Sequence, residues 1–259
     1  MLLAIDIGNT NVTLGAFEGE ALAATWRLAT DARRTADEYG VLMRSLLSAK
    51  GVAIEKVNEA CLCSVVPPLT GVLEQACEAY FGVRPLVVGA GTRTGVRVLY
   101  DSPRDVGADR VVDAAATFKL YGGPAVVVDF GTATTFNAIS RNGDYLGGAI
   151  APGLGVAAES LFLNTSQLRR VELVAPKSPI GKNTIHAMQA GLVLGYVAMV
   201  EGMVQRFKAE LGPETKVIAT GGHSELIAQE TRAFNVVNPD LTLLGLRIIF
   251  DLNRTPEGR

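Results

Sequence analysis

The sequence predicts an α/β protein built from a duplicated domain, its two halves packed around a cleft. Strand-like apolar runs and helix-like periodicity alternate along all 259 residues, which is the first sign of this class. The second is a pattern that occurs twice, about half a chain apart. "LLAIDIGNTNVTLGAF" lies near the start and "AVVVDFGTATTFNAIS" begins at Ala125. Each reads as an apolar strand, an aspartate (Asp6, Asp129), one residue, a glycine (Gly8, Gly131), Asn or Thr, and a second strand. No linker or low-complexity stretch separates the halves. The expected domains are residues 1–117 and 118–259.

The elements follow in order. Leu2 to Ile7 reads as a strand, Val12 to Phe17 as its hairpin partner and Ala21 to Leu28 as a third strand. Thr35 to Lys50 is helical: Ala36, Tyr39, Gly40, Met43, Leu46 and Leu47 recur at helical spacing, and Thr35 with Glu38 fits a capping box. Glu59 to Val66 is a strand stopped by Pro67 and Pro68, Leu69 to Phe81 a helix, and Pro85 to Val88 a short strand. A helix over Asp109 to Leu120 ends at Gly122-Gly123. After the second hairpin, Val156 to Leu163 and Ile185 to Leu211 read as helices. "KVIATGGHS" reads as a strand and turn leading into a helix from Ser224, and Leu244 to Leu252 closes the chain as a helix.

Composition narrows the class. With 48% hydrophobic and 19% charged residues the chain can bury a substantial core. A net charge of -2 offers no basic footprint, so no nucleic-acid partner is expected. The start lacks a basic n-region and is interrupted by Asp6, unlike a signal peptide, and the uninterrupted apolar runs elsewhere, such as Ala125 to Val128, are too short to span a bilayer; no membrane partner is expected. Three cysteines without disulfide-like spacing point to reduced thiols and a cytoplasmic location. Cys61 and Cys63 share a strand face and read better as small buried side chains than as a metal pair.

The candidate chemistry begins at the hairpins. A single Asp-x-Gly hairpin is only a turn. Two copies at the ends of buried strands point to phosphate: tight Gly/Asn/Thr turns offer N–H groups and hydroxyls, and the aspartate can hold Mg²⁺ that bridges phosphates. Neither a Walker A loop nor a dinucleotide glycine fingerprint is present in the right context. Within "SPRDVGADRVVDAA", Asp109 sits where a helix begins after Gly107. A helix N-terminus favours an anion, so Asp109 is expected ionised and able to take a proton from an alcohol, with Arg110 beside it able to fork onto a substrate carboxylate. Asp113 reads as part of a solvated helix face. His186 and His223 have no ligand-spaced partners, and His223 reads equally as a nucleotide-side contact or an exposed loop residue. "GGAIAPG" is too glycine-dense for an ordinary strand and is read as backbone brought close to a ligand.

These motifs resemble the type III pantothenate kinases, members of the acetate-kinase/sugar-kinase/Hsp70/actin superfamily. The matching stretches are "DIGNTNVTLG", "SPRDVGADR", "DFGTATT", "GGAIAPG", "NTIHAMQAG" and "VIATGGHS", in the family's order over almost the whole chain. The resemblance implies two RNase H-like (actin-like) domains with mixed sheets flanked by helices. It implies transfer of the ATP γ-phosphate to the primary hydroxyl of pantothenate, the first step towards coenzyme A. Asp6, Gly8, Asn9, Thr10, Asn11, Val12 and Thr13 would handle ATP phosphates and Mg²⁺, together with Gly131, Thr132 and Thr134. Asp109 matches the general base. Tyr100, Gly107, Ala108, Arg110 and Thr184 match the pantothenate-binding positions, and Asp129 the ligand of a monovalent cation, K⁺ or NH₄⁺. The family is dimeric, so a homodimer is expected. Cys63, where the family often has Ser, and His223, where it often has an apolar residue, depart from the pattern, and neither is expected to touch the chemistry. The competing readings are a kinase of the same superfamily acting on a sugar or another small alcohol, and a non-catalytic nucleotide-binding regulator. Gly-x-Asp-Arg, which suits a hydroxy-acid substrate, and the full set of chemical residues weigh against them.

Overall fold

A computed structural model describes residues 1–254. The chain forms two compact units. The first holds residues 1–97, 101–116 and the closing segment from Thr242; the second holds 98–100 and 117–241. The chain passes from one unit to the other at Ala116/Thr117, inside a helix. The closing helix, assigned from sequence to the second domain, belongs to the first unit. Its apolar face (Leu243, Leu246, Ile249) is buried on the first sheet, which decides its place.

In the first unit, β1 (Leu2–Ile7), β2 (Asn11–Glu18), β3 (Ala21–Ala29), β4 (Glu59–Ser64) and β5 (Leu86–Val87) form a mixed sheet in the order β3-β2-β1-β4-β5. Alternation along β1 splits its side chains between two layers. Leu3, Ile5 and Ile7 join Tyr39, Met43 and Leu47 of α1 (Ala36–Ala49) and Leu69, Leu73 and Cys77 of α2 (Pro67–Phe81) in one core. Leu2 and Ala4 point the other way, onto Val112 and Ala115 of α3 (Ala108–Tyr121) and onto α8 (Leu241–Asn253). Each fully buried Leu or Ile in these layers contributes about 1.5–3 kcal/mol. The Thr35/Glu38 capping box starts α1 as expected. Pro67 and Pro68 end β4 but also open α2, because a missing N–H costs nothing in a helix's first turn.

The second unit repeats the plan. Strands β6 (Ala125–Phe130), β7 (Ala133–Ile139), β8 (Tyr145–Pro152), β9 (Lys216–Thr220) and β10 (Val236–Val237) lie in the order β10-β9-β6-β7-β8, the same sequence of connections as the first sheet. Val126, Val128 and Phe130 pack on α4 (Leu154–Leu163) and on the long helix that carries Leu192, Tyr196, Val200 and Val204. That helix runs from Thr184 to Leu211 as α5 (Thr184–Gln189), a π-helical stretch (Ala190–Leu194) and α6 (Gly195–Leu211). Single-residue spacing could not show the wide turn in its middle. By length and composition this helix is apolar enough to cross a membrane, contrary to the reading from short apolar runs. Half of its most apolar window is buried, consistent with its side chains in the core on the second sheet.

Two further expectations are corrected. The glycine-dense stretch, read as too rich in glycine for an ordinary strand, is β8, paired along β7, with a register shift at Ala138/Ile139 and Gly147 at φ +122° taking up the irregularity. Asp113 is not on a solvated face. It is buried in α3 and accepts a hydrogen bond from Thr242 Oγ1 at 2.7 Å, a partner remote in sequence that helical spacing could not reveal.

Candidate active site

Strand register builds the first half of the site. Asp6 is the last residue of β1 on the face that carries Leu2 and Ala4, and it keeps part of its surface open. Across the antiparallel pair it faces Thr13; across the parallel pair it faces Cys63. The Cys63 thiol donates to Asp6 Oδ1 at 3.4 Å. Cys63, expected to lie away from the chemistry, thus stands directly beside Asp6. Both Cys61 and Cys63 are buried free thiols, and burial pushes both well up, so neither is a nucleophile.

The start of α3 packs on this face and brings Asp109 to Asp6. Gly107 allows the approach: a Cβ there would lie 2.5 Å from Asp109 Oδ1 and 3.4 Å from Val65 Cγ1, just past β4. Asp109 Oδ1 accepts the Arg110 N–H at 2.8 Å. Burial pushes the Asp109 carboxyl up from the usual range, and the neighbouring Arg110 offsets this only in part. Desolvation outweighs the favourable hydrogen bond and charge of Arg110 in setting the direction of this shift. Asp6 is pushed up to about 7, first by burial and then by the charge of Asp109. The charge of Asp109 is thus felt by Asp6 at this sheet end.

The turn after Asp6 is closed by Gly8 N–H to Asn11 O at 3.0 Å and tied to β3 by Thr30 Oγ1 to Gly8 O at 2.7 Å. Asn9, Thr10 and Asn11 are exposed and Thr13 is half-buried, so all four can meet a ligand. The Val12 side chain lies in the α1/α2 core, which leaves only its backbone for such a role. Ala108 is half-buried at the head of α3, and Arg110 is buried at 8% exposure behind it.

The second hairpin copies the register. Asp129 faces Thr135 on β7 and Thr220 on β9, the positions of Thr13 and Cys63 around Asp6. Gly221, at φ +88°, backs onto the carboxylate: a Cβ there would collide with Asp129 Oδ1. Thr132 is exposed at the tip and Gly131 is half-buried. Thr134 is fully buried on the face of Phe130 and Phe136, so the phosphate contact read onto its side chain has no exposed hydroxyl to make it. A tip residue and its strand neighbour look alike in sequence; the pleat separates them. His223 is half-buried just before α7 (Ser224–Ala228), its ring bonded to the Phe130 backbone, and burial lowers it below the usual range.

Elsewhere in the second unit, Tyr100 packs at 6.4 Å on Tyr145, beside Gly147, and is partly exposed. Thr184 opens α5 and lines a cavity of about 460 Å³ with Leu161, Leu168, Met188 and Leu192. Cys63 and Thr220, which pair with the two strand-end aspartates, were not among the expected site residues. The repeated hairpin register was the signal that could have found them.

Among the described residues no three His, Cys, Asp or Glu side chains cluster as a metal site. The oxygen pair of Asp6 and Asp109 suits a hard divalent ion that takes its remaining ligands from phosphate and water. The single carboxylate of Asp129, backed by Gly221 and flanked by threonines, suits an ion of single charge.

The two mixed five-stranded sheets flanked by helices define the actin-like fold class. Solved structures agree on the fold: a 2-dehydro-3-deoxygalactonokinase from Sinorhizobium meliloti matches with a TM-score of 0.60 at 12% identity, all of both chains covered. A Campylobacter jejuni protein described as a Baf family transcriptional activator matches at 0.61 and 20%, with 97% of this chain and 98% of that one covered. The family model for type III pantothenate kinases matches residues 2–206. The type III pantothenate kinase of Myxococcus xanthus is 53% identical over 98% of this chain and 99% of its own. That of Dehalococcoides mccartyi is 51% identical over 98% of each. The chain belongs to the type III pantothenate kinase family.

Proposed function

We propose that this chain uses ATP to phosphorylate the primary hydroxyl of pantothenate, giving 4'-phosphopantothenate. The observation that carries the reading is the pairing of Asp6 with Asp109 at one sheet end, in a chain about half identical to type III pantothenate kinases along its whole length.

In this reading Asp109 is the general base. Its elevated position makes it a better proton acceptor than an exposed carboxylate, and the loose transition state of phosphoryl transfer asks more of its placement than of its strength. Arg110 gives the pantothenate pocket positive charge, and Gly107, Ala108, Tyr100 and Thr184 contact pantothenate. Asp6, the 8–13 turn, Gly131 and Thr132 take the ATP phosphates. Mg²⁺, when bound, supplies charge neutralisation at the transferring phosphate. Asp6 would hold it directly or through water, and Asp129 would hold K⁺ or NH₄⁺. His223 is a candidate neighbour of the adenosine end.

The enzyme is read as a cytoplasmic homodimer. Support comes from apolar side chains exposed on α4 and α5, with Leu163 at 68% and Ile185 at 54%. The test of the function is ADP release from purified protein with ATP, Mg²⁺ and K⁺. Turnover is expected with pantothenate and not with a panel of sugars; turnover with a sugar alone would replace this reading by that of a sugar kinase.

A further inference from the structure

Cys61 and Cys63 leave β4 on the same face, and both are fully buried. Cys61 pairs with Ala4 and belongs to an apolar layer. Cys63, one pair nearer the sheet end, pairs with Asp6 and donates its S–H to Oδ1. Packing alone accounts for a small side chain at both positions; it does not account for a hydrogen bond to the acid at the strand end. The second hairpin has a donor at the matching place, since Thr220, paired with Asp129, is also buried.

We propose that Cys63 is a positioning residue for phosphoryl transfer: its thiol hydrogen bond fixes the Asp6 carboxylate so that Oδ2 is presented to the metal–phosphate end of ATP. The inference rests on the reading of Asp6 given above. The last torsion of an aspartate is broad and nearly two-fold, so its oxygens exchange easily unless one is engaged. A thiol is a weak donor, but here it is held by the strand register and shielded from water, where hydrogen bonds count for more.

Steady-state kinetics on the full-length enzyme test this. Cys63→Ala, which removes the donor, is expected to raise the KM for MgATP about three- to tenfold, the size of one net hydrogen bond. The KM for pantothenate should stay within about twofold of the parent. Cys63→Ser keeps a donor and should restore the KM for MgATP. If Cys63→Ala does not fold, Cys63→Val, without a donor, is read by the same split between the two substrates. Equal KM values for MgATP in the Ala (or Val) and Ser variants would overturn the proposal, as would equal rises for both substrates. Asp6→Asn separates the two layers of the argument. If it leaves the KM for MgATP unchanged, the reading of Asp6 fails; if it raises that KM while removal of the Cys63 donor does not, only the role of Cys63 fails.

Discussion

The hairpin at Asp6 and the hairpin at Asp129 share strand order, register and a threonine opposite the aspartate, yet their carboxylates have different neighbours. Asp6 meets a second acid, Asp109, carried in by the start of α3, and a buried thiol. Asp129 meets a glycine turn and a second threonine. The duplicated backbone supplies two equivalent strand-end acids; what packs beside each one decides its work. An acid pair suits a doubly charged ion and proton transfer. A carboxylate in a glycine-backed nook beside threonines suits one unit of positive charge.

Several substitutions can break this contrast. The largest effect is expected from Asp109→Asn, which should lower kcat by about 10²–10⁴, the usual worth of a positioned base. Circular dichroism should show the fold intact, and near-normal kcat would remove the base from the first hairpin. Asp6→Ala comes next: MgATP use should weaken by roughly tenfold or more, the cost of one charge-assisted contact, with pantothenate binding little changed. Asp129→Asn should erase the preference for K⁺ over Na⁺, seen as equal rates in the two salts. Retained discrimination would mean that the second hairpin holds no cation.

A smaller effect separates the hairpins without substrate. The folded form of Asp6 holds its proton up to about 7, against an ordinary carboxyl value of 3.8. Its contribution to stability is therefore complete below about pH 4 and is lost as pH rises through 7. In ligand-free protein, Asp6→Asn should raise Tm at pH 8 by a few degrees, on the order of 2–4 °C per kcal/mol, and change it less at pH 5. A Tm gain independent of pH would argue against a buried, coupled Asp6. The smallest effect is at the second hairpin: Thr134→Val should leave the KM for MgATP unchanged, whereas Thr132→Ala should raise it. Equal rises would restore Thr134 as a phosphate contact.

Much of this was legible along the chain. The duplicated hairpin, the Thr35 capping box and the Gly107–Arg110 segment are local patterns, and local patterns are set by nearest neighbours and by the period of the element they occupy. Asp113 was misread, and the surroundings of Cys63 and Thr134 were not foreseen, for a common reason. Their surroundings come from partners far along the chain or from the pleat: Thr242 for Asp113, Asp6 for Cys63, and the Phe130/Phe136 face for Thr134.

By itself the sequence determined that two strand-end aspartates follow buried apolar runs, that each is followed by a Gly-rich turn, and that an Asp-Arg pair opens a helix between them. Strand periodicity, turn chemistry and helix capping are sufficient for that. Only the tertiary structure decided that α3 and α8 cover the same face of the first sheet and that Asp109 arrives beside Asp6 and Cys63. It also decided that both carboxyls are held above their usual range. Desolvation and charge coupling depend on distance in space, and residues 6, 63 and 109 become neighbours only when strand register and helix packing bring them there.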